Sequence, residues 1–295
     1  MKPGDLVEYI GANGTSLLDE LDYLLKVNHV RPNKLKGQNF CIDQNVLDRM
    51  VEVAQLEKDD LVLEAGPGFG FLTLELLKKV KRVVAVELDT NLIKPLNEFA
   101  KLHNNLEIIN KDILKLDLND LKSTDYKIVA NLPYSITSRF FKIFLNLELK
   151  PTTITVLIQK EVAERIVAKP GSMSLLAISI QLYGDPTIEE IVQKDSFYPV
   201  PKIDSAILHI KNIRKYEFED IVSEKVFWQV VKSGFSAKRK QLHNNIKNSL
   251  HVSDELTSKI FNKSCLSKKI RAQDLKIGDW LKLAKSYQEL FIDDK

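Results

Sequence analysis

The tetrapeptide Asn131-Leu132-Pro133-Tyr134 stands where an apolar run, KIVA, comes to an end. Asn131 offers a side-chain carbonyl. Pro133 has no N–H and disturbs regular strand pairing, so the backbone carbonyl at 132 or 133 is not consumed by a ladder. Two acceptors facing one point suit a planar –NH2 group, which has two hydrogens to give. Tyr134 can lie over the ring that carries such an amine. A proline turn closed by an Asx-type hydrogen bond uses the same residue types, and the tetrapeptide alone does not separate the two readings.

A second group of residues points to a ligand at the same kind of position. LEAGPGFG places Gly66, Gly68 and Gly70 directly after an apolar run. Glycines there let the backbone turn sharply and bring a ligand to the N-terminus of the next helix. The spacing is G-x-G-x-G; the dinucleotide fingerprint would need glycine at 71, where the chain has Phe71. Glu87 closes the next β-branched run about 20 residues on, where an acid can accept from both hydroxyls of a ribose. It can also be an ordinary polar residue at a strand end. Asp112 ends a third run; it can accept from an adenine amino group, with Ile113 against the ring, or cap a helix. Open α/β sheets bind ligands at the carboxyl ends of their strands, and these positions come from successive strands.

The elements that must position these residues follow from periodicity. Strand-like runs fall at 61–66, 82–89, 106–112, 127–133 and 154–160. Helical patterns fall between them at 71–80, 90–102 and 138–147. That alternation predicts a parallel, doubly wound α/β sheet. Residues 190–201 and 205–211 read as a late strand pair at one edge. Upstream, SLLDELDYLLKV reads as a helix, 31–44 as a basic loop and 45–56 as a further helix. After residue 212 the patterns are all helical. The expected division is an N-terminal extension over 1–34, the α/β domain over 35–212 and a small all-helical domain over 213–295.

Composition narrows the class. The chain has 295 residues, 44% hydrophobic and 28% charged, with a formal net charge of +3. That is ordinary globular composition. Cys41 and Cys265 are far apart, and five histidines are scattered, so neither a disulfide framework nor a structural zinc site is expected. No apolar stretch reaches the roughly 20 residues that span a bilayer. The reading is a cytoplasmic protein. Charge is unevenly spread: Lys232, Lys238, Arg239, Lys240 and Lys247 fall close together, followed by Lys268, Lys269 and Arg271. Such a cluster suits phosphate contact with RNA, or is a solvated helix face. Arg31, Lys34 and Lys36 could extend the same kind of surface.

The ordered set of motifs resembles the small-subunit rRNA adenine dimethyltransferases, from about Leu35 to about Leu283. The segments that carry the resemblance are KLKGQNFCID, VLEAGPGFGFLT, VVAVELD, NLPY, LIQKEVAERI, FYPVPKIDSAIL and GFSAKRKQLHNNIK. It implies a Rossmann-like class I methyltransferase fold with S-adenosylmethionine as cosubstrate and no metal. Gly66 and its loop would face the methionine part, Glu87 would bind the ribose and Asp112 the adenine. Asn39 would fold over the cofactor, Cys41 stands where the family usually has leucine, and Asn131 would sit between cofactor and target. Pro133 and Tyr134 would frame the target base, with Phe197 stacked on its other side. The implied reaction is in-line attack of an adenine N6 on the sulfonium methyl, at two adjacent adenosines in a hairpin loop near the 3' end of small-subunit rRNA. The implied partner is that rRNA or a pre-30S-type particle, met by a monomer without a membrane. Two rivals share the fold: a large-subunit rRNA methylase, and a ribosome-assembly or transcription factor in which catalysis is secondary. A nicotinamide-dependent dehydrogenase fits worse, because of the glycine spacing.

Overall fold

The structure is a computed structural model that describes residues 15–32, 37–121, 123, 125–216, 218 and 221–292. Lys34 and Lys36 lie outside the described residues. Contacts divide the chain into two compact units. The first runs to Ala163 and resumes over Gly184–Ile213; the second takes Glu164–Tyr183 and everything from Arg214 onward.

The first unit is built on a seven-stranded sheet. Its strands are β2 (Leu61–Ala65), β3 (Arg82–Glu87), β4 (Leu106–Asn110), β5 (Lys127–Asn131), β6 (Ile154–Gln159), β7 (Asp185–Val192) and β9 (Ser205–Lys211). The order is β4-β3-β2-β5-β6-β9-β7. Strands β2 to β6 pair in parallel, and β9 runs antiparallel between β6 and β7. All five residues of β2 are buried, as are the first five of β6. Continuous apolar strands are what a sheet covered on both faces demands. The strand order reverses between β2 and β5, so Gly66 and Asn131 leave the sheet side by side at its carboxyl edge.

Helices α2 (Gln44–Val53), α3 (Phe71–Leu77), α4 (Thr90–Ala100) and α5 (Thr137–Phe144) fall where their periodicity places them. Asp43 and Asp89 cap α2 and α4 by accepting from Asn45 N–H and Asn91 N–H. Helix α1 (Leu17–Val27), which falls within the 1–34 extension, is capped by Ser16. Its Leu21, Leu24 and Leu25 join Leu47, Met50 and Phe197 in one hydrophobic core.

The structure departs from expectation in two stretches. The 31–44 segment, expected as loop, contains β1 (Phe40–Cys41). The late strand pair is β7 with β9, and the residues after Val192 leave the sheet to form β8 (Phe197–Tyr198). Strands β1 and β8 pair antiparallel as a separate two-stranded ribbon, Phe40 opposite Tyr198 and Cys41 opposite Phe197. Two residues are too short a run for periodicity to show.

The second unit holds α6 (Leu175–Gln181), α7 (Glu224–Gly234), α8 (Leu242–Leu250), α9 (Asp254–Lys263) and α10 (Ile277–Tyr287). Its 164–183 excursion lies inside the sequence span expected for the α/β domain. Backbone bonds tie it to the C-terminal helices: Gly171 and Met173 N–H both donate to Gln273 O, at 2.8 and 3.1 Å.

Because Leu24 is fully buried, Leu24→Ala is expected to cost about 2–5 kcal/mol of stability. Urea unfolding measures it. A loss under about 0.5 kcal/mol, the surface-substitution range, would mean that α1 is not part of the folded core.

Candidate active site

Strand β2 ends at Ala65, and the chain turns through Gly66, Gly68 and Gly70, with φ of 72°, 64° and 94°. All three lie in the left-handed region that other residues enter at a cost. Gly66 N–H donates to Val86 O at 2.9 Å, which holds the turn against β3. A Cβ on Gly68 would stand 3.0 Å from the Phe40 ring, whereas one on Gly66 would meet nothing within 4 Å. Gly66 therefore leaves open space beside the backbone, and that space is a cleft. Gly37 to Cys41, Glu64, Gly66 to Phe69, Glu87 to Asp89 and Asn131 to Tyr134 line it, among others.

Glu87 is held rigidly at the end of β3. Its Oε2 accepts from Gly68 N–H at 3.3 Å and its Oε1 from Asp89 N–H at 2.7 Å. Burial raises its pKa above the ordinary value, and these backbone N–H groups pull it back. Leu88, 60% exposed, stands beside it as an apolar surface on the rim.

Asn131 is fixed by a contact from the opposite wall. Its Nδ2 donates to Asn39 O at 2.9 Å. A carbonyl can only accept, so the amide nitrogen must face Asn39 and Oδ1 must face away. Among the described residues, nothing donates to that Oδ1. The two backbone carbonyls that follow are not equivalent. Pro133 O accepts from Ile136 N–H at 3.1 Å, whereas Leu132 O has no partner among the described residues. Of the two carbonyls left open by sequence, Leu132 O is the available one. The Tyr134 hydroxyl pairs with Ser205 Oγ at 2.9 Å, which anchors the far end of the ring. Burial raises the Tyr134 pKa.

The wall segment is pinned at several points. Gln38 Nε2 donates to Asp89 Oδ2 at 2.9 Å, and a Cβ on Gly37 would lie 3.6 Å from Pro133 Cβ. Phe40 packs against Phe69 with ring centroids 5.6 Å apart. Cys41 lines the cleft with its thiol buried, and burial raises its pKa to about 12.

Asn39, Cys41, Gly66, Glu87, Asn131, Pro133 and Tyr134 thus meet at one cleft. Asp112 and Phe197 are not among the residues that line it. Asp112 Oδ1 accepts from Leu114 N–H at 3.0 Å and caps a short 3-10 turn, the second of its two sequence readings. Phe197 is 1% exposed inside the core, so the stack on a target base expected of it corresponds to no exposed ring face. Its place opposite Cys41 turns it inward, because side chains alternate along β8 and its neighbour Tyr198 takes the outer side.

Sequence reasoning passed over Glu64. It sits in the middle of an apolar strand, 1% exposed, and Thr73 Oγ1 donates to its Oε2 at 2.6 Å. Burial pushes its carboxyl up to about 8, with Glu87 nearby adding to the rise and Thr73 opposing it. A carboxylate within the run LVLEA was the available signal.

The sequence profile of the ribosomal RNA adenine dimethylase family matches residues 30–289. The chain belongs to that family. It is 39% identical over 283 residues to "Ribosomal RNA small subunit methyltransferase A" of Dehalococcoides mccartyi (strain CBDB1), covering 95% of this chain and 97% of that one. A relative of the same name from Clostridium botulinum (strain Kyoto / Type A2) is 39% identical over 85% of this chain and 92% of its own length. Among solved structures, a dimethyladenosine transferase from Plasmodium falciparum superposes with a TM-score of 0.68 at 26% identity, over 84% of this chain and 97% of that one. The 23S rRNA methyltransferase ErmE gives 0.67 at 26% identity, over 84% and 98%. As a ribosomal RNA adenine dimethylase the protein is a methyltransferase that uses S-adenosylmethionine. The cleft fits that cosubstrate on its own evidence: the space at Gly66, the preset Glu87 carboxylate and the apolar rim at Leu88 match a ligand with a polar amino-acid end and a nucleoside.

The buried Glu64 carries a pH signature. Its folded pKa is about 8 against an ordinary 4.5, so as pH rises the unfolded chain releases this proton first. Stability relative to Glu64→Gln is expected to fall between those values, by at most about 1.4 kcal/mol per pH unit. Above about 8 the difference is level. Urea unfolding of both proteins at pH 5, 7 and 9 checks it; an unchanged difference would mean that Glu64 is ionised throughout.

Proposed function

We propose that this enzyme dimethylates N6 of two adjacent adenosines in a hairpin loop near the 3' end of small-subunit rRNA, within an assembling small ribosomal particle. The observation that carries the chemistry is the orientation of Asn131. With Nδ2 committed to Asn39 O, Oδ1 and the unpartnered Leu132 O form a pair of acceptors for one exocyclic amine. The small-subunit assignment rests on relatives 38–39% identical that bear that name, against 26% for the 23S enzyme.

S-adenosylmethionine, when bound, supplies a methyl group on a positively charged sulfur that leaves readily. The chain's own part is positioning. Asn131 Oδ1 and Leu132 O accept the two N–H bonds of the amine and turn its lone pair out of the ring plane. Tyr134, tethered through Ser205, offers its face to the base. Pro133 closes the wall beneath it. Glu87 is not assigned as the base, because in this reading the lone pairs left after its two backbone bonds accept from the ribose hydroxyls. The amine proton becomes acidic only after transfer, and leaves to water. Orientation and fixed dipoles of this kind supply most of the rate in such a site.

The target base must leave its stack to enter the cleft, which costs least in a loop. Phosphate contacts belong to the second unit. Leu242 N–H donates to Ile270 O at 2.8 Å, which brings the 238–240 and 268–271 segments together. Lys238, Arg239, Lys240, Lys268, Lys269 and Arg271 are exposed there. Lys247 is instead paired with Asp254 at 3.0 Å. Lys232 and Arg31 are exposed as well. A monomer in the cytoplasm suffices for this role, and none of the described helices is long and apolar enough to cross a membrane. In this reading Asp112 serves the adenine end of the cofactor through its remaining oxygen.

Asn131→Ala is expected to lower kcat on isolated small subunits by about 10²–10³-fold while S-adenosylmethionine affinity stays within a few-fold. Methyl uptake and calorimetry measure the two. Primer extension on small-subunit rRNA from cells lacking the protein should lose the dimethyladenosine stops. Retained stops, or methyl uptake by large subunits instead, would overturn the assignment.

A further inference from the structure

Tyr198 has no role in the chemistry above, yet its setting is unusual. Among the described residues it is the one Phe, Tyr or Trp that is exposed, at 39%. Its neighbours on the ribbon explain why it does not turn inward. Phe197 fills the inner position, and Ile42 N–H donates to Ser196 O at 2.9 Å, while Ser196 Oγ donates to Asp43 Oδ2 at 2.9 Å. Tyr198 is therefore held outward on a backbone pinned to the 40–43 segment through Ser196 and the ribbon pairing.

Its location follows from register. Tyr198 is directly opposite Phe40, and residues opposed in an antiparallel pair share a face of the ribbon. The Phe40 ring faces Gly68 and lines the cleft. Tyr198 thus shares the ribbon face that Phe40 turns to the glycine loop, one strand further out and outside the lining of the cleft itself. Val200, two residues on, is 58% exposed, and Lys202, two further, is exposed with no acidic partner among the described residues. A fixed aromatic face, an apolar neighbour and a free cation are the parts of a nucleotide subsite: a platform for a base and a charge for its phosphate.

Resting on the proposed RNA substrate, we propose that Tyr198 is a stacking platform for the nucleotide next to the one whose amine enters the cleft. When one base is drawn out of a loop, its neighbour loses a stacking partner and must pass the mouth of the cleft. Tyr198 replaces that partner. It is a positioning residue: it binds RNA and holds the loop open without touching the reacting atoms.

The test uses the full chain, with small ribosomal subunits from cells lacking the protein as substrate. Tyr198→Ala is expected to raise KM for the particles roughly 5- to 100-fold, the range that base–aromatic stacking accounts for. Its kcat and its affinity for S-adenosylmethionine should stay within about twofold of the parent, the scatter expected where no contact is lost. Tyr198→Phe keeps the ring and should restore KM; Tyr198→Trp should show emission quenched on adding particles, beyond the quenching of the parent protein. The proposal fails if Tyr198→Ala keeps the parent KM, or if Tyr198→Phe behaves like Tyr198→Ala. Equal loss of cofactor affinity would make Tyr198 a structural residue and also overturn it. If protein-free rRNA shows no KM difference between parent and Tyr198→Ala while particles do, the face contacts a ribosomal protein instead. Failure of the functional reading is distinct, because then the parent protein would not methylate the particles at all.

Discussion

The hydrogen bond that the Asn131 side-chain amide donates to Asn39 O joins residues 92 apart in sequence and sets which end of that amide faces the cleft. A hydrogen bond of this kind contributes only about 0.5–1.5 kcal/mol to stability. Its larger effect is geometric. It removes the two-fold ambiguity of the Asn131 amide and commits the oxygen, not the nitrogen, to the open side. Everything that holds Asn39 in place therefore serves the acceptor pair: the β1–β8 ribbon, the Gln38–Asp89 bond and the close approach of Gly37 to Pro133.

The same cleft carries an electrostatic cost. Two carboxyl groups, Glu64 and Glu87, are buried next to each other's fields, and burial raises both pKa values. The sheet edge compensates them differently. Glu87 is given backbone N–H groups on both oxygens, which favours its charged form. Glu64 is given one hydroxyl and is left near neutrality. A carboxylate prepared to accept from ribose hydroxyls and a largely protonated neighbour can coexist where two full charges would repel.

Much of the first unit was legible because its parallel strands are apolar throughout and its helices alternate with them. The glycine loop, Glu87 and the Asn131 acceptor follow from residue type at a strand end, and Asn39 and Cys41 came only through resemblance. What stayed hidden were features set by pairing across long distances. The ribbon of Phe40–Cys41 with Phe197–Tyr198 involves two residues a side, and no local pattern reveals it. Phe197 illustrates the consequence: the family resemblance, not its spacing, implied a base contact, whereas its register places it in the core and leaves Tyr198 outside. The 164–183 excursion was equally opaque, since helical periodicity says nothing about which unit a short helix joins.

In the proposed mechanism the acceptor pair also determines which bases the cleft takes. A purine bearing a carbonyl at the same ring position would set oxygen against two oxygens, leaving buried acceptors unpaired at about 1–3 kcal/mol each. The amine is thus selected by what the wrong base fails to donate, the stronger form of discrimination available to a polar site. The same logic orders the two methylations. Monomethyladenine still has one N–H and can satisfy one acceptor while its lone pair points the other way. Dimethyladenine has none, so in this mechanism both Asn131 Oδ1 and Leu132 O lose their partners on it. In this mechanism the hydrogen bonds that hold the substrate are consumed by the reaction itself, and the finished base is the one the site would hold least well.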